Sequence, residues 1–574
     1  MVGQQSKHWN LAPPAPAAYV EQLTSAGHHP VLAQILYQRG FKDPADALNF
    51  LKGYRHYEPD TNPFRLKGMV EAIYRIRMAI RRREPIVVYG DFDCDGVTAT
   101  VLLTQALEKL GADVRPYIPD RVDEGYGLNS PALKSLADSG VRLVIAVDCG
   151  IRSIQEVEDA NRFGLDVIIS DHHSVGRDLP PALAVINPKQ PGCPYPEKML
   201  AGVGLAYKIV QGLYMEAQRR GYARGSDWRP EGWIDLVAIG TVADIAPLHG
   251  ENRALVQEGL VQLNNPQRPG LKALYGTAGI KPGHVNAVTI GFMIGPRLNA
   301  AGRLRSAMLA YDLLAALDQR SATPLAQELD ALNQERQRKT LEMQTLAEAA
   351  FPGDPADEPL LFASHRDFEQ GVVGLVASRL TEQYYRPSVV VQVGEEESHG
   401  SCRSIPEFHI THALDQCSDL LERYGGHAAA AGFTIRNEHL EALAERLWQI
   451  AADELSDREL LPTLEIDAEL PLADATYELA SELLQLEPTG EANPAPVFLT
   501  RSLMVAERVP VGSDGRHLRL ILSDGQVTAE AIAFRWGERL AEVPKQVDVA
   551  YNLEINSWNG QSRVQLNVQD ICPA

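Results

Sequence analysis

Between residues 86 and about 250, short apolar runs rich in β-branched residues alternate with segments of helical spacing, and this alternation restricts the fold more than any other feature of the chain. The runs are IVVYG, DVRPYI, LVIAVD, DVIIS and the later IDLVAIG. A strand apolar at consecutive positions has to be covered on both faces, as parallel strands joined by crossover helices are. The pattern predicts an α/β domain with a parallel sheet. Ligands of open α/β sheets collect beyond the carboxyl ends of the strands. Four of the runs lead into acidic or histidine residues: IVVYG into Asp91, Asp93 and Asp95; LVIAV into Asp148; DVIIS into Asp171, His172 and His173; and LVAIGTVA into Asp244.

Alternate side chains of an extended segment share a face, which predicts that Asp91, Asp93 and Asp95 point one way. Carboxylates held a few Å apart raise one another's pKa unless a cation lies among them. Carboxylate and imidazole without thiolate suit Mn²⁺ or Mg²⁺ better than a structural zinc. Two such cations ~3.5–4 Å apart activate water and neutralise charge on phosphoryl oxygens. The cluster therefore points to metal-assisted phosphoester hydrolysis. Alone, D-x-D-x-D also occurs in calcium loops and surface turns, and Asp-His-His after a strand is often a helix cap. The weight lies in four run ends in succession.

Composition narrows the partners. Fifty-four Lys and Arg against 75 Asp and Glu give a net charge of −21, which excludes a protein that coats a polyanion by global charge. A nucleic-acid strand has to be met by a local basic surface. Six scattered cysteines with no C-x-x-C pair give neither a disulfide framework nor a structural zinc site. No apolar stretch approaches the ~20 residues that cross a bilayer, and the first residues lack a basic-then-apolar leader. A cytoplasmic protein without membrane contact is expected.

At 574 residues the chain exceeds one core. The expected units are an N-terminal helical segment (1–60), the first α/β domain (61–300), a helical linker (301–355), a second α/β domain (356–455) and a β-rich tail (456–574). RLKGMVEAIYRIRMAIRRRE (65–84) reads as a helix with a solvated basic face in preference to a phosphate-facing stripe. In the second domain LLFAS, SVVVQV and AAAAGFTI read as strands and GVVGLVASRLTEQY as a helix. The tail runs predict an antiparallel barrel of the OB type, with Phe498, Arg501, Arg508, Arg516, Phe534 and Trp536 at hand for a strand, although such aromatics are usually core.

Candidate strand contacts are spread over both α/β domains. In PRLNAAGRL, Arg297, Asn299 and Arg303 flank a run of small residues, so two guanidinium forks are available to phosphate. RVDEGYGLN supplies Arg121 and Tyr126. The second domain adds His365, Arg379, Ser401, Arg403, Ser404 and the Gly425-Gly426-His427 turn, whose backbone N–H groups suit an anion.

GDFDCDGVTAT, VDCGI, SDHH and GTVADIAPL resemble, in order, the motifs of the DHH phosphoesterases. Agreement continues through RVDEGYGLN, AGVGLAYK, GPRLNAAGRL, ELDALNQER and GVVGLVASRL, and YGGHAAAAGF resembles the DHH-associated C-terminal domain, DHHA1. The resemblance implies that Asp93, Asp95, Asp148, His172 and Asp244 hold two Mn²⁺ or Mg²⁺ ions, with Asp91 beside them. It further implies that His173 contacts the scissile phosphate and that Asp171 orients an imidazole. It implies 5′-to-3′ removal of mononucleotides from single-stranded DNA in recombination and repair, by a monomer working with a single-strand-binding protein and a helicase. Two positions depart from the pattern: Tyr89 stands where many members carry a metal-binding His, and Cys402 stands where a G-S-G-R-S turn carries Gly. A hydrolase of short oligonucleotides or cyclic dinucleotides needs neither the preface nor the tail. A non-catalytic relative would have lost the ligands, which are intact here apart from Tyr89.

Overall fold

The computed structural model describes residues 7–52, 61–121, 124–221, 228–512, 514–558 and 561–574. A short strand, β1 (His8–Leu11), and three helices ending at Lys52 precede the first α/β domain. Its five strands are β2 (Ile86–Tyr89), β3 (Val114–Tyr117), β4 (Leu143–Val147), β5 (Asp166–Ser170) and β6 (Ala184–Ile186), all parallel in the order β3-β2-β4-β5-β6. Their alternate residues enter two separate cores, as the two-residue period requires. Val88, Ile145 and Ile168 pack under the helices Cys94–Lys109 and Gly202–Arg219, whereas Val87, Val144 and Ile169 pack under Ser130–Asp138 and Ile154–Arg162.

One run is corrected. IDLVAIG is the helix Ile234–Ala243, not a strand. Leu236 to Ile239 are all fully buried, and a helix that is apolar all round carries no periodicity to distinguish it from a buried strand. The fifth strand is instead β6, within ALAVINP. The basic residues of the helix Met69–Arg82 are exposed only at its end, at Arg81 and Arg82; Arg75 is instead taken up by Asp166 (2.5 Å) and Glu84 (2.7 Å), and Arg77 by Glu216 (2.9 Å).

A helix of 31 residues, Gln319–Ala349, joins the two α/β domains. Its first part packs on Pro269–Ala278 and Gly295–Leu304, and it also packs on the helix Gln370–Tyr384 of the second domain. The second sheet comprises β7 (Leu361–His365), β8 (Ser388–Val393), β9 (Glu397–Arg403), β10 (Leu421–Gly426) and β11 (Ala430–Arg436) in the order β10-β11-β9-β8-β7. HGSCRS lies largely in strand β9 rather than in a turn, and Cys402 fills the core of this domain.

The tail begins with β12 (Thr463–Ile466), which pairs in parallel with β1, and β13 (Ala468–Glu469). Strands β14 (Phe498–Val511), β15 (His517–Ser523), β16 (Thr528–Ala533), β17 (Gln546–Trp558) and β18 (Gln561–Pro573) then close a five-stranded barrel through β14 and β17. Around the barrel the pairs are antiparallel except β16 with β18, so the fully antiparallel expectation is corrected at one seam. The N-terminal helices do not stand apart: Leu23, Leu32, Ile35 and Leu36 share one core with Leu470, Leu486 and Phe498 of the tail.

Candidate metal centre

β2 runs through Gly90 into Asp91, Phe92 and Asp93, and Asp93 caps the helix Cys94–Lys109 by accepting from Asp95 N (2.9 Å) and Gly96 N (3.0 Å). The extended alternation therefore reaches only Asp93. Asp95 lies in the first helical turn, and it is buried for another reason: its Oδ2 accepts from Gly202 N (2.7 Å) and its Oδ1 from Val203 N (2.8 Å), at the start of the helix Gly202–Arg219. A helix N-terminus favours a carboxylate there. Asp148 follows β4 with φ of 63°, and its N–H donates to Ser170 O (2.9 Å). Gly202 has to be glycine, because a Cβ there would overlap the Asp148 carboxylate. Asp244 arrives from the C-terminal end of the helix Ile234–Ala243.

These elements converge. His172 Nε2 lies 3.1 Å from Asp148 Oδ1, 3.7 Å from Asp244 Oδ2 and 4.0 Å from Asp95 Oδ2. Ligand atoms fall within 4.8 Å of one another in three overlapping triplets: Asp91, Asp93 and Asp148; Asp95, His172 and Asp244; and Asp148, His172 and His173. Asp148 belongs to two of the triplets, an arrangement that serves two adjoining cations.

Electrostatics favours the same occupant. Burial, then the charge of Asp93, pushes Asp95 up to about 7; burial, then Asp95 and Asp93, pushes Asp244 up to about 9. Burial, then a neighbouring carboxylate, raises Asp91 and Asp148 well above the usual range. Burial, then the charge on His173, brings His172 down to about 3, so its ring is neutral and free to ligate. Asp91 Oδ1, Asp148 Oδ1 and His172 Nε2 are buried without a hydrogen bond. Such orphans cost about 1–3 kcal/mol each unless something binds them. Divalent cations in adjoining positions, one among Asp91, Asp93 and Asp148 and one among Asp95, His172 and Asp244, would satisfy these atoms, so the donor set fits such ions.

A pH dependence follows. A carboxylate whose folded pKa is raised adds stability that is complete below its unfolded pKa and is lost as pH rises through the folded value. Between pH 7 and 9 His172 is neutral in both states and Asp95, at about 7, has released most of its proton by pH 8, so the window is governed by Asp244, at about 9. The chelated protein is expected to lose stability across that window, at a slope of up to about 1.4 kcal/mol per pH unit for each proton. Excess Mn²⁺ should flatten the slope in calorimetric scans; an equal slope with and without the metal counts against a cation-binding cluster.

Asp171 does something different. Its Oδ2 accepts from Ile151 N (2.9 Å), and its Oδ1 accepts from His173 N (2.9 Å) and lies 2.7 Å from His173 Nδ1. Burial alone would raise its pKa; the bonds and charge of His173 outweigh burial and lower it. His173 is raised in turn, because the Asp171 hydrogen bond and charge overcome burial. Two neighbours escaped the sequence reading: Lys189 Nζ donates to His172 O (2.6 Å) and Asn187 Nδ2 to His173 O (2.9 Å). Both follow β6, where the strand-end rule would have found them had that strand been recognised. Tyr89 is buried in the opposite core and donates to Gly127 O (3.1 Å), so it takes no part in the cluster.

Beside the cluster, a groove of about 450 Å³ separates the two α/β domains and is lined by Phe92, Arg121, Tyr126, Arg303, Ser401 and Arg403 among others. Arg121 stacks over Phe92 (4.7 Å), Arg403 Nη1 donates to Ser401 Oγ (3.3 Å), and Arg303 Nη1 donates to Gly371 O (3.2 Å). Burial, then the charges of Arg121 and Arg336, lowers Arg303 to about 9. None of the three arginines has a carboxylate partner in an ion pair among the described residues. Converging guanidinium groups of this kind suit an anion. Val122 and Asp123 of RVDEGYGLN lie outside the described residues.

Other expected contacts are placed elsewhere. Arg297 is committed to Asp330 (2.8 Å) and Met293 O (2.7 Å), which corrects its reading as a free phosphate fork. Asn299 Oδ1 accepts from Cys94 N (2.7 Å) and so braces the Asp91–Asp95 segment instead of reaching outward. Ser404 Oγ donates to Phe408 O (2.6 Å), and Arg379 Nη1 donates to Gln344 Oε1 (3.4 Å). His365 is exposed at the end of β7, 3.7 Å from Asp367. Gly425 and Gly426 are the exposed end of β10, not a turn, paired with Gly432 and Ala431 of β11; His427 opens the hairpin turn, and its N–H already donates to Ala430 O (2.8 Å). In the tail, Phe498 and Trp536 are core, Arg501 pairs with Glu469 (2.6 Å), Arg508 Nη1 donates to Leu540 O (3.0 Å), Arg516 pairs with Asp514 (2.7 Å), and Phe534 is half exposed.

Family models match in three stretches: the DHH family N-terminal domain at residues 85–241, the DHHA1 domain at 357–453 and the RecJ OB domain at 466–570. The single-stranded-DNA-specific exonuclease RecJ of Bacillus subtilis is 39% identical over 559 residues, covering 96% of this chain and 69% of its own. RecJ of Escherichia coli is 34% identical over 568 residues, covering 95% and 96%. Among solved structures, RecJ in complex with Mn²⁺ from Thermus thermophilus superposes with a TM-score of 0.84 at 32% identity, covering 99% of this chain and 80% of that one. The Mg²⁺ complex from the same source gives 0.78 at 30% identity, covering 98% and 78%. No helix among the described residues is long and apolar enough to cross a membrane.

Proposed function

The chain belongs to the RecJ family of single-stranded-DNA-specific exonucleases, and from that premise we propose that it removes mononucleotides from single-stranded DNA in the 5′-to-3′ direction during recombination and repair. The observation that carries this reading is the gathering of Asp91, Asp93, Asp95, Asp148, His172 and Asp244 in overlapping ligand triplets, beside a groove lined by Arg121, Arg303 and Arg403, which form no ion pair among the described residues. Asp93, Asp95, Asp148, His172 and Asp244 hold two Mn²⁺ or Mg²⁺ ions, with Asp91 alongside. Divalent ions held there would supply Lewis acidity toward the phosphoryl group and toward water. His173, oriented by Asp171, whose hydrogen bond and charge favour its protonated form, donates a hydrogen bond to the scissile phosphate. Arg121, Arg303 and Arg403 neutralise the strand's phosphates. The same reading makes the protein a cytoplasmic monomer supplied with ends by a helicase and a single-strand-binding protein.

End-labelled single strands incubated with Mn²⁺, Mg²⁺ or a chelator test the reading. A 5′ label should appear at once as a mononucleotide, a 3′ label should remain on shortening fragments, and the chelator should stop both. A clear preference for a dinucleotide over a long strand would support a small-nucleotide hydrolase instead. Arg403→Ala is expected to weaken strand affinity about tenfold and to reduce the slope of log affinity against log salt by about 0.7, the amount for one phosphate contact on a single strand. An unchanged slope in a titration series would remove Arg403 from the strand path.

A further inference from the structure

The segment that carries Asp244 is gripped by the tail. After Asp244 the chain passes through Ile245, with φ of 58°, to Leu248 and the helix Gly250–Leu263. Leu248 N donates to Glu491 O (2.7 Å), and Gly490 lies so close that a Cβ there would sit 2.8 Å from Leu248 Cδ1. Arg253, 4% exposed, sends Nη1 to Leu486 O (2.6 Å) and Pro488 O (3.3 Å) and Nη2 to Gln485 O (2.9 Å). One turn on, Gln257 Nε2 donates to Glu487 O (3.1 Å). The tail loop is itself stiffened by Asn493, whose Nδ2 donates to Leu486 O (2.9 Å) and Pro488 O (2.7 Å).

These bonds converge on the stretch that suspends two candidate ligands. Between Leu248 and Arg253, the buried Asn252 donates through Nδ2 to Met199 O (2.6 Å) and Pro247 O (3.2 Å). Met199 lies just before Gly202 and Val203, whose N–H groups hold Asp95. The start of the helix Gly250–Leu263 is thus tied forward to the supports of both Asp95 and Asp244, and backward to residues 485–491. Groups behind metal ligands commonly govern metal affinity by about 10–100-fold.

We infer, on the reading that Asp244 is a metal ligand, that Arg253 is a positioning residue through which the tail loop at residues 485–491 sets the cation affinity of the Asp95, His172 and Asp244 position. Loosening this clamp weakens one cation and leaves the other.

Mn²⁺ binding to the full chain, followed by the electron paramagnetic resonance of free Mn²⁺, tests the inference. Wild type should bind two ions and Asp244→Asn one. Arg253→Lys, which keeps the charge and loses the fork, should weaken one of the two ions about tenfold or more. Gln257→Leu, at the clamp's edge and certain to be milder, should weaken the same ion about threefold and decides the matter if Arg253→Lys does not fold. Thr476→Ala, which removes the N-cap of the helix Tyr477–Leu483 in the same tail, should bind both ions as wild type does. Two ions retained by Asp244→Asn would sink the ligand assignment itself. One ion lost by Asp244→Asn, with wild-type binding in the clamp variants or an equal loss in Thr476→Ala, would overturn the clamp and leave the ligand assignment standing.

Discussion

Asp148→Asn is expected to slow hydrolysis of a single strand by a factor of ~10³ or more, equivalent to about 4 kcal/mol of transition-state stabilisation, while raising the melting temperature of the chelated protein. The two effects have one cause. Asp148 is buried, belongs to two of the three ligand triplets, and is pushed up first by burial and then by the charge of Asp95. Asn keeps the shape and accepts the left-handed backbone at φ of 63° better than most residues do. It removes a charge that only a cation makes tolerable. Calorimetry in chelator and in Mn²⁺ should show the difference between the two conditions shrink. A fall in the chelated melting temperature would mean that Asp148 is mainly a structural residue. Asp95→Ala is a poorer probe, because it strands the N–H groups of Gly202 and Val203 at about 1–3 kcal/mol each.

Gly302→Ala is expected to lower stability and turnover together. A Cβ at Gly302 would overlap the Phe92 carbonyl oxygen, and neither side can retreat easily. The helix Gly295–Leu304 is joined to the Asp91–Asp95 segment by the bond from Cys94 N to Asn299 Oδ1 (2.7 Å). Overpacking of this kind costs about 1–3 kcal/mol, sometimes more. Because the displaced backbone lies between Asp91 and Asp93, a shift of about 1 Å should also lower turnover by roughly 10²-fold. A lowered melting temperature with unchanged kcat would show that the segment yields without moving the carboxylates.

The acidic cluster was readable in the sequence because its members sit at ends of apolar runs, where the topology of a parallel sheet gathers them whatever their separation along the chain. That rule holds even where the element was misread: Asp244 reaches the pocket from a helix, since the end of a buried helix is as good a mount as the end of a strand. The period could not separate the two, because nearly every face of the helix Ile234–Ala243 is buried and its run Leu236–Ile239 is apolar throughout. Strand contacts were less readable. Arg297 and Arg303 look alike in PRLNAAGRL, yet only tertiary packing gives Arg297 its Asp330 and turns Arg303 to the groove. Asn299 reads as an outward polar group and serves as an inward brace. The sharing of one core by the first helices and the barrel has no local signal, because helices at one end of the chain and strands at the other meet only in three dimensions.

Anomalous diffraction at the manganese edge from a crystal soaked in Mn²⁺ tests the central claim most directly. Two peaks within ligand distance of Asp93, Asp95, Asp148, His172 and Asp244, and their loss from Asp148→Asn crystals, are the predicted result. A pocket that holds no manganese, in a protein that still degrades single strands, would contradict it.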